Sequence, residues 1–182
     1  MEIRLSVVLL VVLLTAGAAL SASGPQAVFD PATPQAHALA ELEDMASLSR
    51  PDLDLTRRLA TTYLRLGQPG LAIAAVRAAP SEFARDPLLT HRLSQAYEAS
   101  GRVDDALSTA QLARARCAAA LGTPPSCSAA TQAALDMHEE ALTMLLRWGV
   151  QEPRRDTRTA LAYRLAQRTA RIASLGLNAP AE

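Results

Sequence analysis

Beyond residue 33, apolar residues recur every three to four positions, and no segment alternates with the two-residue period of a strand. In segment 34–48, Ala38, Leu39, Leu42, Met45 and Ala46 share one helical face, with Pro34 suited to a first turn. Ser49-Arg50-Pro51 breaks that helix. Asp52 or Asp54 can cap the next, which carries Leu55, Leu59, Ala60, Tyr63, Leu64 and Leu66 up to Gly67. A tight turn at Gln68-Pro69-Gly70 leads into a short helix over 71–79, ended by Pro80. Asp86-Pro87 opens another through Leu89, Leu93, Ala96 and Tyr97 to Gly101, and a further helix spans 103 to about 120. A long helix over 128–148 and a last one capped by Asp156 and running to Gly176 complete seven helices joined by short turns.

The first 23 residues follow another pattern. One positive charge at Arg4 precedes an almost unbroken run of Leu and Val from Leu5 to Leu14, then a zone rich in Ala, Ser and Gly. That order is the layout of a secretory signal, with a cleavage point expected between Ala18 and Ser23. The alternative is an uncleaved amino-terminal anchor, since Leu5 to Ala22 is at the short end of what spans a bilayer. No Cys stands near the cleavage zone, which argues against a lipid-modified anchor. Either way the chain is expected to be exported, to a bacterial periplasm or cell envelope. Residues 24–33, with Pro25 and Pro31, read as a linker, and 177–182 as a tail.

Composition sharpens this picture in two places. With 49% hydrophobic residues, 20% charged residues and zero formal net charge, the 182-residue chain can bury a core and is not of disordered type. All 18 basic residues are Arg. Cys117 and Cys127 are the only cysteines, and they flank a turn containing Gly122 and Pro124-Pro125. In an oxidising compartment such a pair reads as a structural disulfide.

Aligned with itself at an offset of 34, the chain places Thr56 on Thr90, Arg58 on Arg92, Leu59 on Leu93, Tyr63 on Tyr97, Gly67 on Gly101, Ala72 on Ala106 and Ala79 on Ala113. Segments 58–67 and 92–101 resemble the first helix of tetratricopeptide repeats, and the residues after each Gly resemble the second. A large Tyr fills the space between paired helices, Gly ends the first helix, and Ala lets the second approach closely. The resemblance implies an all-α fold: a right-handed stack of antiparallel helix hairpins. Its repeats would lie at about 53–86 and 87–120, with a divergent third hairpin over 128–174 and an amino-terminal capping helix, together forming a domain over 34–176. This sequence departs from the family at the usual aromatic positions, which are Thr56 and Thr90 in the first helices and Val76 and Ala110 in the second. The third hairpin breaks the 34-residue period.

In such arrays the first helices line a concave groove that holds a peptide or a partner helix. Carried onto this chain, the partner-binding groove comprises Arg57, Thr61, Arg65, His91, Gln95 and Glu98, with Arg57, Arg65 and His91 placed to meet a carboxylate or an acidic segment. The family's carboxylate clamp uses Asn and Lys; this chain has no Lys, and its one Asn is Asn178 in the tail. Acids gather in 26–54 and arginines in 147–171, read as solvated faces or as a head-to-tail contact.

Catalytic signatures are weak. His138-Glu139-Glu140 lacks the second His that a zinc-protease helix carries four residues after the first, and His37, His91 and His138 fall on separate helices. Little aromatic interleaving accompanies the basic segment, so nucleic acid is not expected as a partner. The function expected is an exported adaptor that binds a protein or peptide, with no catalytic, metal or cofactor site. The rival is a small structural subunit of an envelope complex, docked through the third hairpin and exposing an apolar patch around Met144, Leu145 and Trp148.

Overall fold

The computed structural model describes residues 33–48, 52–120 and 127–176, with side chains through Arg171. The expected leader, most of the linker and the tail lie outside the described residues. Among the described residues the protein is all-α, with helices α1 (Pro34–Leu48), α2 (Leu53–Arg65), α3 (Pro69–Ala78), α4 (Pro87–Ala99), α5 (Val103–Ala119), α6 (Ala129–Arg147) and α7 (Arg158–Gly176). A 3-10 turn, Ser81–Arg85, sits between α3 and α4. No helix among the described residues is long and apolar enough to cross a membrane.

The starts of these helices follow from local chemistry. Asp52 caps α2 by accepting from the Asp54 amide, Asp86 caps α4 through the Leu89 amide at 2.7 Å, and Ser128 caps α6 through Thr131 at 3.1 Å. Thr33 does the same for α1 through Ala36, and Asp156 accepts from the Arg158 amide at the head of α7. Asp104 and Asp105 occupy the first turn of α5, where negative charge meets the positive end of the helix.

Helix ends repeat one device. Gly67, Gly101 and Gly149 are the described glycines with positive φ, at 72°, 76° and 65°. At each, the glycine amide donates to the carbonyl three residues back, and the following amide donates to the carbonyl five residues back: Gln68 to Tyr63, Arg102 to Tyr97 and Val150 to Leu145. The segment of α6 and α7 breaks the sequence period, yet α6 ends as α2 and α4 do. The space around Gly101 is closed as well, since a Cβ there would stand 2.8 Å from the Gln151 carbonyl oxygen.

Each helix packs against the next in sequence, and α2 also packs against α4. Alanines make these approaches close: Ala60, Ala72, Ala96, Ala106, Ala110, Ala141 and Ala162 have no exposed surface. One apolar cluster joins Leu39, Tyr63, Ala72 and Ala96 across α1 to α4. A larger one joins Tyr97, Val103, Ala106, Leu142, Leu145 and Ala162 across α4 to α7. Cys117 and Cys127 are disulfide-bonded, with Cα atoms 5.4 Å apart, and pack with Ala113 and Leu135 in a third cluster. The apolar patch expected around Met144, Leu145 and Trp148 is absent among the described residues. Leu145 is completely buried, and Met144 and Trp148 pack partly buried on the larger cluster.

Candidate functional site

The expected groove residues fall into three settings. Arg57, Thr61 and Arg65 succeed one another along one face of α2, at the four-residue spacing that stacks side chains on a helix. They border a depression of about 420 Å³, walled by α1 through Leu42 and Met45 and by α4 through Leu88 and Arg92. Arg58 and Glu41 also line it.

Charge in this depression is unbalanced. Arg57 is the one arginine there with an ion-pair partner among the described residues. Its Nε donates to Asp86 Oδ1 at 3.0 Å and its Nη2 to Asp86 Oδ2. The same buried carboxylate caps α4, so it orients Arg57 and closes the junction of α2 with α4. Among the described residues, Arg58, Arg65 and Arg92 have no carboxylate within ion-pair distance. Burial, and then the nearby charge of Arg65, hold Arg92 below the ordinary arginine pKa. Arg92 rests on a neutral acceptor, Gln95 Oε1, at 2.8 Å. Thr61 turns its hydroxyl back to the Arg57 carbonyl at 2.7 Å.

Gln95 and Glu98 border a second, smaller depression of about 230 Å³, with Ala99, Pro153, Arg154 and Thr159. Arg154 reaches from it to the carbonyl of Gly67 at 3.3 Å, tying the last hairpin's turn to the first.

His91 and Glu98, expected on an open groove, are instead bonded inward to the third hairpin. His91 Nε2 lies 2.8 Å from His138 Nδ1 on α6. His138 Nε2 lies 3.1 Å from Glu98 Oε2, and the Tyr163 hydroxyl on α7 donates to that oxygen at 2.7 Å. His138 is 3% exposed, so the chain His91–His138–Glu98–Tyr163 crosses an interior. Burial, followed by His138 and Arg92, lowers the His91 pKa to about 3, so His91 is neutral near pH 7. Burial first, and then the Glu98 carboxylate, push the Tyr163 hydroxyl strongly upward, which keeps it a donor. With His91 neutral, His138 accepts from it and donates to Glu98. That arrangement partners both ring nitrogens of His138. The direct contact of the two imidazoles leaves no space for an ion between them. Among the described residues, no group of three or more His, Cys, Asp or Glu is placed to hold a metal.

Sequence reasoning missed Arg58 and Arg92 as groove residues and His138 and Tyr163 as a buried network. The first pair carried a signal, since they coincide at the 34-residue offset. The second pair carried none: His91 and His138 are 47 residues apart on different helices. Among the described residues the ion pairs of the arginines at 154–158 are local, Arg155 with Glu152 and Arg158 with Asp156.

Comparison with protein-family models, with curated proteins and with solved structures gives no match in any of the three.

Proposed function

We propose that this chain is an exported adaptor of tetratricopeptide type that binds an acidic, extended segment of a protein or peptide partner across α2 and α4. The observation that carries this reading is the arginine-lined depression, where four arginines meet one lining carboxylate, Glu41, and Arg58, Arg65 and Arg92 have no ion pair among the described residues beside apolar Leu42, Met45 and Leu88. Like charges held together in a walled hollow attract an anionic partner, and planar guanidinium forks suit carboxylates. Leu42, Met45 and Leu88 add contact for an apolar side chain between the acids.

In this reading the helices form a right-handed stack of antiparallel hairpins. The supports are paired positions one repeat apart in equivalent settings: buried Tyr63 and Tyr97, Ala72 and Ala106 without exposed surface, and Gly67 and Gly101 with the same turn. α1 serves as the amino-terminal cap, and α6 with α7 as the divergent third hairpin. Export rests on the leader pattern, and a disulfide-bonded pair suits an oxidising compartment. The rival, a structural subunit docked through the third hairpin, loses its main support because Leu145 is buried.

The test is site-specific photo-crosslinking in cells from position 65, with position 161 on exposed α7 as control. The expected result is a defined envelope protein captured from position 65 alone, and lost when Arg58 and Arg92 are both replaced by Glu. Capture that survives this charge reversal, or capture from position 161 only, sinks the groove reading.

A further inference from the structure

The 34-residue repeat is kept between the first two hairpins, but their second helices differ in length. α5 runs 17 residues, whereas α3 runs 10. Pro80 has no amide hydrogen to continue the helix, and Ala79 before it is extended (φ −65°, ψ 149°). The missing 7 residues correspond to roughly 10 Å of helix, and the 3-10 turn Ser81–Arg85 replaces them. One repeat later the corresponding turns of α5 carry Ala113 and Cys117, both fully buried. In the first hairpin a cavity of about 430 Å³ occupies that region, lined by Val76, Phe83, Leu89, Leu93 and Leu112.

The charged groups of this cavity are basic, beside the hydroxyls of Ser81, Thr90 and Thr109. Arg116 and Arg77 line it, and among the described residues no carboxylate does. Arg116 uses Nη1 to donate to buried Thr90 Oγ1 at 2.6 Å, and Arg77 uses Nη2 to donate to the Tyr97 hydroxyl at 2.7 Å. Neither has an ion pair among the described residues. The acid near Arg116 is Asp86, whose carboxylate is already engaged by Arg57 and the Leu89 amide. Burial, and then the charge of Arg85 on the 3-10 turn, hold Arg116 below its ordinary pKa. A guanidinium has five N–H donors, so a fork on Arg116 remains open to an anion.

We propose that this cavity is a second binding site, separate from the arginine-lined depression, and that it takes a free medium-chain acyl carboxylate. The tail lies among Val76, Phe83, Leu89, Leu93 and Leu112, and the carboxylate meets Arg116 at the mouth. The volume lies in the range of ordinary small-ligand pockets, roughly 300–1,000 Å³, which combine apolar walls with few polar groups. Charge complementarity selects a carboxylate over a neutral chain: the anion offsets the charge of Arg116, which nearby Arg85 opposes, where an alcohol would leave it unchanged.

The experiment is calorimetric titration of the folded full-length protein with decanoate, alongside decan-1-ol, with methyl NMR to locate the ligand. Two variants accompany it, Arg116→Gln at the mouth and Ala84→Trp on the exposed wall, each checked for helix content. Saturable decanoate binding, weakened at least 10-fold in Arg116→Gln and in the alcohol, lost in Ala84→Trp and shifting the Val76 and Leu112 methyls, is the expected result. Absence of saturable binding overturns the proposal, as does equal affinity for the alcohol. Shifts confined to Leu42 and Leu88 would place the ligand in the other depression and overturn it too. Should Arg116→Gln unfold, Ala84→Trp and the parent's methyl shifts still decide. Loss of decanoate binding leaves crosslinking from position 65 untouched, so the two sites fail independently.

Discussion

His138 belongs by composition among the residues a surface helix carries, beside Glu139 and Glu140, yet it is among the most buried polar side chains described. Its two ring nitrogens connect α4 to α6, and Glu98 passes the connection on to α7. Replacing His138 by Ala leaves His91 Nε2 without its partner and takes from Glu98 one of two, the Tyr163 hydroxyl remaining. Unsatisfied buried polar groups cost about 1–3 kcal/mol each, so His138→Ala is expected to lose about 2–4 kcal/mol in urea unfolding. A loss under 0.5 kcal/mol would mean that water replaces the ring at no cost. The His91 shift has a definite sign. Above pH 6.5 neither state binds a proton at His91. Between 6.5 and about 3 the unfolded chain takes one that the folded protein refuses, so stability falls as pH falls across that window. The slope from this group is at most about 1.4 kcal/mol per pH unit. Denaturation measured from pH 7 to 4 should be steeper in the parent than in His91→Gln; matching slopes would remove His91 from the account.

Among the elements, helix terminations separate what is local from what is not. Gly67, Gly101 and Gly149 all need a left-handed backbone, which an L side chain adopts at a cost of about 1–2 kcal/mol. Around Gly149 nothing stands within 4 Å of an added Cβ, whereas at Gly101 the Gln151 backbone is in the way. Gly149→Ala should therefore cost about 1–2 kcal/mol and Gly101→Ala clearly more, because backbone cannot swing aside. Equal losses in thermal unfolding would show that the loop at Gln151 moves freely. The disulfide is likewise an element-level tie, joining the end of α5 to the chain entering α6. Replacing both cysteines with Ala, compared with the oxidised parent, should cost roughly 2–3 kcal/mol for a loop of this length. No change on reduction would mean that packing with Ala113 and Leu135 alone sets that junction.

At the scale of the whole molecule, the unequal distribution of charge carries the functional reading. Arg57 is structurally committed to Asp86, but Arg58, Arg65 and Arg92 have no ion pair with an acid among the described residues. Arg58→Glu with Arg92→Glu is expected to leave the melting temperature within a few degrees. The capture of an acidic partner should vanish in the same variant. That capture should also weaken between 50 mM and 500 mM salt, because exposed charges are screened within about 10 Å at moderate ionic strength. Binding insensitive to salt would point to apolar contacts along Leu42, Met45 and Leu88 instead.

The sequence by itself determined the helices, their caps and their glycine ends, because these depend on interactions within four or five residues. Asp86-Pro87, Tyr97 and Gly101 specify the start, the inner face and the end of α4 without reference to the rest of the chain. The equivalence of Tyr63 with Tyr97 and of Ala72 with Ala106 was legible too, since close helix pairing imposes residue size at fixed intervals. Sequence also brought Cys117 and Cys127 together, across a short turn. It did not foresee the 3-10 turn Ser81–Arg85, where the repeat length was preserved while a helix stopped early. Nor could helical periodicity tell which polar residues of α4 face solvent and which face another helix. Arg92 and Gln95 stayed at open depressions, while His91 turned inward and Glu98, at the edge of one depression, bonded to the distant helices. That choice was made by α6 and α7, more than 30 residues further along, whose His138 and Tyr163 supply the partners that make burying those groups affordable. Periodicity records that a face is polar. Only the arrangement of the distant helices decides whether that polarity meets water, another side chain or a partner.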